Sequence, residues 1–390
     1  MTIDLDRLRP DTPGCAEVAH FNNAGSSLPP LPVLNAVIDH LKLEARIGGY
    51  EAANQESDRL EAVYSSIAKL INAHPDEIAL VENATRGWDM AFYALKFQPG
   101  DRILTGIAEY ASNVISYLQI AQKTGAVVEA VPNDDSGQVS VPDLEKMIDK
   151  RVKLLSFTHV PTNGGLVNPA AEIGAVARRH DIPFLLDACQ SVGQIDIDVA
   201  AIGCTMLSAT GRKYLRGPRG TGFLYVQRDW IERLEPPFLD LHAAEWVAPD
   251  RYEIRKDARR FENWESYVAG RLGLGAAADY ALKVGMPAIE ADLTAKAARL
   301  REGLSGLPGV TVHDIGRKKG GIVTFTKAGH SAAAIKAALS QRRINVSVSG
   351  ASSTLFDMSA RGLRELVRAS VHYVNSAAEL DRLIAAVAEI

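Results

Sequence analysis

The chain has few cysteines, and those it has lack the spacing of a metal site. Its 390 residues include only three, Cys15, Cys189 and Cys204. An odd number of scattered cysteines is typical of a protein in a reducing compartment, so we expect a cytoplasmic protein. The nine histidines form no His-x-x-His or His-x-x-x-His pair. The sequence therefore predicts no metal site.

Charge and hydropathy argue against two further classes of partner. The formal net charge is −4, which favours neither nucleic acid nor an anionic membrane surface. No apolar run approaches the roughly 18–20 residues that a membrane-spanning helix needs. The N-terminal stretch is polar and acidic, unlike a secretory signal. With 47% hydrophobic and 23% charged residues, the composition is that of an ordinary globular protein.

Short apolar runs and helical patterns alternate over the first part of the chain. Seven runs have strand length, at 78–81, 102–106, 127–131, 153–158, 184–187, 205–208 and 222–226. Helical patterns accompany them at 59–71, 113–123, 143–148 and 170–180. This alternation predicts an α/β fold whose mostly parallel sheet is covered by helices on both faces.

The last third of the chain has a different pattern. Its predicted elements are helices at 276–284, 288–307, 331–342 and 377–390 and strands at 311–314, 322–325, 344–348 and 367–374. That order predicts a small α+β domain packed on a larger one. The expected units are an N-terminal arm at 1–20, a large domain at 21–245, a helical connection at 246–285 and a small domain at 286–390.

Polar side chains follow neighbouring strands of the predicted sheet. Ligands of a parallel sheet bind outside the carboxyl ends of its strands. Asp187 closes one strand, Gln190 follows it, and Lys213 lies just past the next strand. An acid and a lysine in these places suit pyridoxal phosphate, because the lysine forms a Schiff base and the acid keeps the pyridine nitrogen protonated.

Three more segments end at the same predicted edge. Asn83-Ala84-Thr85 joins a strand to a helix and offers backbone N–H groups to a phosphate. The next strand is followed by Tyr110, which supplies an aromatic ring. A third strand ends in 158–165, where either Thr162 or Asn163 contacts the cofactor.

The loop after Lys213 is cationic and rich in glycine. In the sequence LRGPRGTG, Arg216 and Arg219 either approach the phosphate or form a solvated face. The glycines match neither G-x-G-x-x-G nor the P-loop pattern, so the loop does not indicate a nucleotide site.

Together these segments resemble class V aminotransferase-fold enzymes that use pyridoxal 5'-phosphate. This group includes cysteine desulfurases, selenocysteine lyases and isopenicillin N epimerase-like proteins. The resemblance runs from FNNAGSS at 21–27 to RASVHY at 368–373, and its most specific part is Asp-x-x-Gln followed by Thr-x-x-Lys. It implies fold type I of the pyridoxal phosphate enzymes, with a seven-stranded sheet, an amino-acid substrate and a homodimer with shared active sites.

The resemblance also implies a role for each residue at the ring and the substrate. Lys213 is the Schiff-base lysine, Asp187 pairs with the pyridine nitrogen, and Gln190 binds the ring hydroxyl. Tyr110 replaces a ring-stacking histidine and counts with Lys213 and Asp187 as catalytic. Arg368 receives the substrate carboxylate through a bidentate fork.

Further contacts follow from the same resemblance. The remaining expected cofactor ligands are Ala84, Thr85, Thr162, Thr210, Arg212 and Ser266. Arg212 stands where the family usually has a histidine, and Ser266 lies in a segment that reaches the partner's phosphate in the family. Asn23 is expected to bind substrate with Arg368.

One departure from the family decides the predicted reaction. Desulfurases carry a persulfide-forming cysteine in the loop that is 347–355 here, and this chain has none there. Because sulfur abstraction requires a thiolate, the sequence predicts that the chain is not a cysteine desulfurase. The segments PTNGGLVNP and RFENWES resemble hercynylcysteine sulfoxide lyase-like members, which favours β-elimination at a C–S bond without a persulfide cysteine. Transamination or epimerisation is the alternative, and a non-catalytic pyridoxal phosphate protein is a second one.

Overall fold

A computed structural model describes residues 3–390, and its elements follow the predicted alternation. In this range the α-helices α1 to α15 are, in order, Leu5–Leu8, Leu31–Ile47, Gly49–Gln55, Ser57–Ile71, Ala84–Phe92, Ala111–Thr124, Val141–Met147, Ala170–Arg179, Val199–Ile202, Arg228–Ile231, Val268–Val284, Met286–Ser305, Ala332–Gln341, Leu355–Ala360 and Ala377–Ala388. The strands β1 to β15 are, in order, Ala19–His20, Ile78–Val81, Arg102–Gly106, Val127–Val131, Val152–Thr158, Phe184–Asp187, Met206–Thr210, Gly222–Val226, Ala244–Ala248, Arg251–Ile254, Val310–Val312, Ile322–Lys327, Ile344–Asn345, Ser347–Gly350 and Glu365–Ser370.

The central sheet has seven strands in the order β2-β8-β7-β6-β5-β3-β4. Strand β8 runs antiparallel to both of its neighbours, and the other pairs are parallel. Neighbouring residues such as Leu185 and Leu186 are both buried but belong to separate apolar clusters on the two faces. Burial on both faces explains why these strands read as continuous apolar runs. The predicted α/β fold with a seven-stranded, mostly parallel sheet is confirmed.

Local capping rules account for several helix ends. The side chain of Ser140 accepts a hydrogen bond from the N–H of Asp143, and Pro142 lies in the first turn of α7. Ser376 and Glu379 form a capping box at the start of α15. Such caps satisfy backbone groups that a helix end leaves without partners, so the short segment can begin at a defined residue.

A second, antiparallel sheet of four strands lies in the C-terminal part, in the order β11-β12-β15-β14. It packs with α12, α13 and α15 around its own apolar cluster. The short strand β1 pairs in parallel with β13, so residues 19–20 join this C-terminal part. The domain bounds stay predictions, and the first two residues of the expected arm lie outside the described range.

The stretch at 246–285 differs from the expected helical connection. It begins within β9, which forms an antiparallel hairpin with β10, and α11 begins only at Val268. Pro249 and Asp250 favour the turn between these strands, because proline presets the backbone and aspartate suits turns. Within residues 3–390, no helix combines the length and apolarity needed to cross a membrane.

Candidate active site

The strand register brings the predicted site residues to one edge of the central sheet. Thr158 at the end of β5 is the cross-strand partner of Asp187 at the end of β6. Thr210 at the end of β7 lies opposite Gly222, where the antiparallel β8 begins. Side chains that are distant in sequence therefore meet at this edge, as expected for a parallel sheet.

Asp187 is buried and held on both of its oxygens. Its Oδ1 accepts a hydrogen bond from the N–H of Cys189 at 2.9 Å, and its Oδ2 accepts one from the amide of Asn113 at 3.0 Å. Burial, together with the charge of Asp187, raises the pKa of the Cys189 thiol to about 12. The carboxylate thus has a fixed orientation, which a group that pairs with a cofactor cation requires.

Lys213 lies in the tight loop that follows β7. Its carbonyl accepts a hydrogen bond from the N–H of Arg216 at 2.9 Å, which closes the turn. Desolvation lowers the pKa of its ammonium group, while Cys189 and Asp187 oppose that effect. A lowered pKa makes the neutral amine more available for covalent chemistry.

Thr162 connects two other predicted residues. Its hydroxyl accepts hydrogen bonds from Arg368 Nη1 at 2.6 Å and from Gln190 Nε2 at 3.4 Å. Two buried atoms beside these contacts, Gln190 Oε1 and Arg368 Nε, have no protein partner. A partly satisfied guanidinium and amide at the same place are suited to bind a polar ligand.

Asn163 instead binds the loop at 347–355, which contains no cysteine. Its Nδ2 donates to the carbonyl of Gly350 and to the hydroxyl of Thr354, both at 3.0 Å. Ser347, which begins this loop, is the cross-strand partner of Arg368. The loop therefore lies against the site, and it carries serine and threonine hydroxyls but no thiol.

A phosphate-sized anion would find backbone donors at the start of α5. Asn83 caps this helix through its Oδ1, which accepts from the N–H of Arg86 at 2.9 Å. At Gly222, a Cβ would lie 2.6 Å from the carbonyl oxygen of Ala209 and 3.2 Å from the nitrogen of Ala84. Only glycine lets β8 approach the first turn this closely, where the N–H groups lack helical partners.

The expected phosphate ligands surround this turn. Thr85 is exposed in the first turn of α5, and Thr210 Oγ1 donates to the carbonyl of Thr221 at 3.3 Å. Ser266 shares a cleft with Gly220 and Gly222. Their contacts with the cofactor stay predictions.

Two residues expected at the site bind the N-terminal loop. The guanidinium of Arg212 donates to the carbonyl of Gly25. The Asn23 amide donates to the carbonyls of His20 and Ser370, at 3.1 and 2.7 Å. Both residues lie beside the site, and their roles stay predictions.

Tyr110 directly precedes α6, and its side chain is about half-exposed. Its stacking on the cofactor ring stays a prediction.

The structure adds two residues whose roles the sequence does not reveal, Glu109 and Asn113. The Asn113 amide donates to Glu109 Oε1 at 2.7 Å as well as to Asp187 Oδ2. Burial raises the pKa of Glu109 to about 7, and hydrogen bonds from Thr158 and Asn113 oppose this rise. The only sequence signal is their spacing of four residues at the start of a helix.

Comparison with known families decides the assignment. A profile of the family described as Aminotransferase class-V matches residues 19–383. The chain belongs to this family. Its members use pyridoxal 5'-phosphate, so the predicted cofactor and the predicted family are both confirmed.

Similar proteins match along nearly the whole chain. A probable cysteine desulfurase from Pyrococcus abyssi is 30% identical over 390 residues, covering 98% of this chain and 96% of that protein. A probable cysteine desulfurase from Synechocystis is 30% identical and covers 93% of this chain and 89% of its own length. The apo structure of a cysteine desulfurase from Thermococcus onnurineus is 30% identical, with a TM-score of 0.92, and covers 100% of this chain and 98% of that one.

These relatives correct the predicted reaction. The statement that the chain is not a cysteine desulfurase is wrong, because full-length relatives carry that name. The prediction of a C–S lyase without a persulfide cysteine is wrong with it, as are transamination, epimerisation and a non-catalytic role. The prediction relied on one loop, 347–355, whereas the similarity extends over all the elements that form the site.

The residues present fit pyridoxal phosphate. Lys213 offers an amine with a lowered pKa, Asp187 a buried carboxylate, and Gln190 an Oε1 without a protein partner. The close approach of Gly222 to Ala84 adds backbone donors for a phosphate. These are the groups that the aldehyde, the ring nitrogen, the ring hydroxyl and the phosphate of this cofactor require.

Proposed function

We propose that the chain is a pyridoxal phosphate-dependent cysteine desulfurase, which converts L-cysteine to L-alanine and transfers the sulfur atom to a thiol. The observation that carries this proposal is the full-length similarity to the Pyrococcus abyssi relative, at 30% identity. The site supports it, because Arg368 and Lys213 offer a carboxylate ligand and an amine to an amino acid.

Each residue of the site has a task in this proposal. When bound, pyridoxal phosphate supplies an electron sink for the substrate Cα. Lys213 holds the cofactor and then moves a proton at Cα, which its lowered pKa favours. Asp187 holds a proton at the ring nitrogen, and Gln190 orients the ring. Arg368 binds the substrate carboxylate, so that the Cα–H bond faces the lysine.

The identity of the sulfur acceptor is a separate point. Among the cysteines, Cys189 lies beside Asp187 and Lys213, whereas Cys204 is buried two residues before β7 and Cys15 lies beside Arg9 in the N-terminal part. The raised pKa of Cys189 opposes formation of its thiolate. The acceptor is therefore either Cys189, after loss of its proton within the site, or a thiol supplied in solution.

Cysteine variants distinguish these two acceptors. If Cys189 receives the sulfur, wild type treated with L-cysteine alone gains the mass of one sulfur atom, and Cys189→Ser does not. Cys204→Ser is the matched control and should behave as wild type. If the solution thiol is the acceptor, Cys189→Ser keeps its turnover and a small-molecule persulfide forms.

The main test of the proposal is product analysis. Purified protein with pyridoxal phosphate, L-cysteine and a reductant should form L-alanine and sulfide in equal amounts, without an added keto acid. Lys213→Ala should form neither, while Lys150→Ala, at an exposed lysine, should match wild type. Pyruvate with ammonia in place of alanine would contradict the proposal.

We also propose that the chain forms a homodimer. Leu34, Ile38 and Leu41 are 36–43% exposed and share one face of α2, opposite its buried face. An exposed apolar stripe at this helical spacing favours burial against another surface. Light scattering should give twice the chain mass for wild type and the monomer mass for Leu34→Glu/Leu41→Glu. Val127→Glu, at an exposed position of the edge strand β4, is the control.

A cytoplasmic location is part of the same proposal. The structure describes Cys15, Cys189 and Cys204 as free thiols. Free thiols persist in a reducing compartment. Fractionation of source cells with an antibody to the chain tests this location.

A further inference from the structure

Two buried carboxylates lie on either side of one amide. Glu109 is 2% exposed and Asp187 is 6% exposed. Between them, Asn113 Nδ2 donates to Glu109 Oε1 at 2.7 Å and to Asp187 Oδ2 at 3.0 Å. An amide nitrogen has two hydrogens, so one side chain satisfies both carboxylates at once.

The remaining partners of Glu109 are also hydrogen-bond donors. Its oxygens accept from the hydroxyl of Thr105 at 3.0 Å, from the N–H of Tyr110 at 3.1 Å and from the N–H of Thr158 at 3.0 Å. The hydroxyl of Thr158 donates as well. A set of donors around both oxygens suits a carboxylate, since a neutral acid would turn a hydroxyl toward one of them. These partners are all neutral, so no ion pair offsets the charge that Glu109 carries above its pKa of about 7.

We propose that Glu109 is a positioning residue, which acts through Asn113 to hold Asp187 and to keep a proton on the cofactor group that Asp187 faces. The inference rests on the proposed pairing of Asp187 with the ring nitrogen. Two anions joined by one amide place more negative charge at this edge than Asp187 alone. Negative charge favours the protonated form of a nearby cation.

The charged and titratable groups around the pair come from several elements. Tyr117 of α6 faces Glu109, and burial raises its pKa. Cys189 and Lys213 face Asp187. Arg212 lies near both Cys189 and Lys213 and opposes the effect of the carboxylates. Glu109 therefore adds its negative charge to that of Asp187 and opposes the positive charge of the loop that contains Arg212. Removal of the Glu109 charge should lower the pKa of the cofactor group that Asp187 faces.

The test is a pH titration of the holoenzyme without substrate, followed by the ¹⁵N chemical shift of the bound cofactor labelled at its ring nitrogen. Glu109→Gln keeps the size of the side chain and removes its charge. We expect the midpoint of the ring nitrogen to move to lower pH by about one unit, the size of effect that one nearby charge has in a buried site. The matched control is Tyr117→Phe, which removes a buried hydrogen bond to Ser156 but leaves both carboxylates and the amide in place. Its midpoint should stay at that of wild type.

Two results would contradict the role of Glu109, and a third would contradict the proposed pairing of Asp187 with the ring nitrogen. A Glu109→Gln midpoint equal to that of wild type contradicts the role of Glu109, and so does an equal shift in Tyr117→Phe. If Asp187→Asn also leaves the midpoint unchanged, the pairing of Asp187 with the ring is itself wrong. None of these readouts depends on cysteine turnover, so the desulfurase proposal stands or fails independently.

A second variant serves if Glu109→Gln does not fold. Asn113→Leu keeps Glu109 and removes both N–H donors. Asp187 then loses one of its two hydrogen-bond donors, and the cofactor dissociation constant should rise at least about fivefold, as for loss of one buried hydrogen bond. An unchanged constant would overturn the proposal.

Discussion

The guanidinium of Arg368 donates a hydrogen bond of 2.6 Å to the hydroxyl of Thr162, a residue 206 positions earlier in the sequence. The same hydroxyl accepts from Gln190 at 3.4 Å. Thr162 thus joins the proposed substrate ligand to a proposed cofactor ligand. The position of Arg368 therefore depends on the large sheet as well as on its own strand, β15.

Loss of the Thr162 hydroxyl should weaken substrate binding. In Thr162→Val, Arg368 loses an acceptor and is held less firmly, so KM for L-cysteine should rise about tenfold, the equivalent of one buried hydrogen bond. Steady-state kinetics measure this change. Thr162→Ser keeps the hydroxyl and should retain a KM close to that of wild type; equal KM values for both variants and wild type would argue against the contact.

Replacement of Arg368 by lysine should lower the catalytic efficiency. Arg368→Lys keeps the charge but loses the planar fork that binds a carboxylate through two N–H groups, so kcat/KM should fall about 100-fold or more. Arg364→Lys, at an exposed arginine of the same C-terminal part, is the control and should leave kcat/KM unchanged. A small effect at Arg368 would place the substrate carboxylate elsewhere.

Gly222 should accept no side chain. In Gly222→Ala, the added Cβ would lie 2.6 Å from the carbonyl oxygen of Ala209, so a strand must shift. We expect the free energy of unfolding to fall by about 1–3 kcal/mol and the affinity for pyridoxal phosphate to fall with it. Gly49→Ala is the control, because a Cβ there meets nothing within 4 Å. Wild-type stability and cofactor affinity in Gly222→Ala would contradict the close approach.

Acid should destabilise the fold through a buried histidine. Burial lowers the pKa of His159 to about 4 from 6.5, so the unfolded chain takes up a proton between these values and the folded chain does not. Stability is then fully present above pH 6.5 and falls as the pH drops to about 4, by about 2 to 3 kcal/mol for this residue.

Urea unfolding at pH 7 and at pH 4.5 measures this loss. His159→Asn should reduce the difference between the two free energies of unfolding by about 2 kcal/mol. His330→Asn, at an exposed histidine, should not change it. An equal pH dependence in wild type and His159→Asn would show that His159 is not the cause.

The central sheet and the cofactor residues are predictable because their signals are local. Strands buried on both faces appear as short apolar runs. Asp187 is the last residue of one such strand, and Lys213 lies in the loop after the next. The hairpin of β9 and β10 is harder to predict, since several of its side chains are exposed and show no apolar face.

The roles of Glu109 and Arg216 depend on contacts that no local pattern contains. Glu109 binds Thr158, which is 49 positions away. Arg216 lies in a cationic loop that suggests a phosphate contact or a solvated face, yet it is 1% exposed. Its guanidinium donates to Tyr373 at 2.9 Å and to the carbonyl of Leu28 at 2.9 Å. Only the packed fold brings these partners together.

The reaction type was the least predictable property. The absence of a cysteine at 347–355 is a clear local feature. It bears only on the residue that accepts the sulfur atom, and not on the residues that bind cofactor and substrate. Full-length similarity to cysteine desulfurases outweighs that one position.

The most direct test of the proposed reaction follows the carbon that bears the sulfur. L-cysteine labelled with ¹³C at Cβ is incubated with the holoenzyme and a reductant, and the methyl products are identified by NMR. We predict that the label appears in the methyl group of L-alanine, with an equal amount of sulfide. Label in the methyl group of pyruvate, or labelled cysteine that stays intact with the active holoenzyme, would contradict the assignment as a cysteine desulfurase.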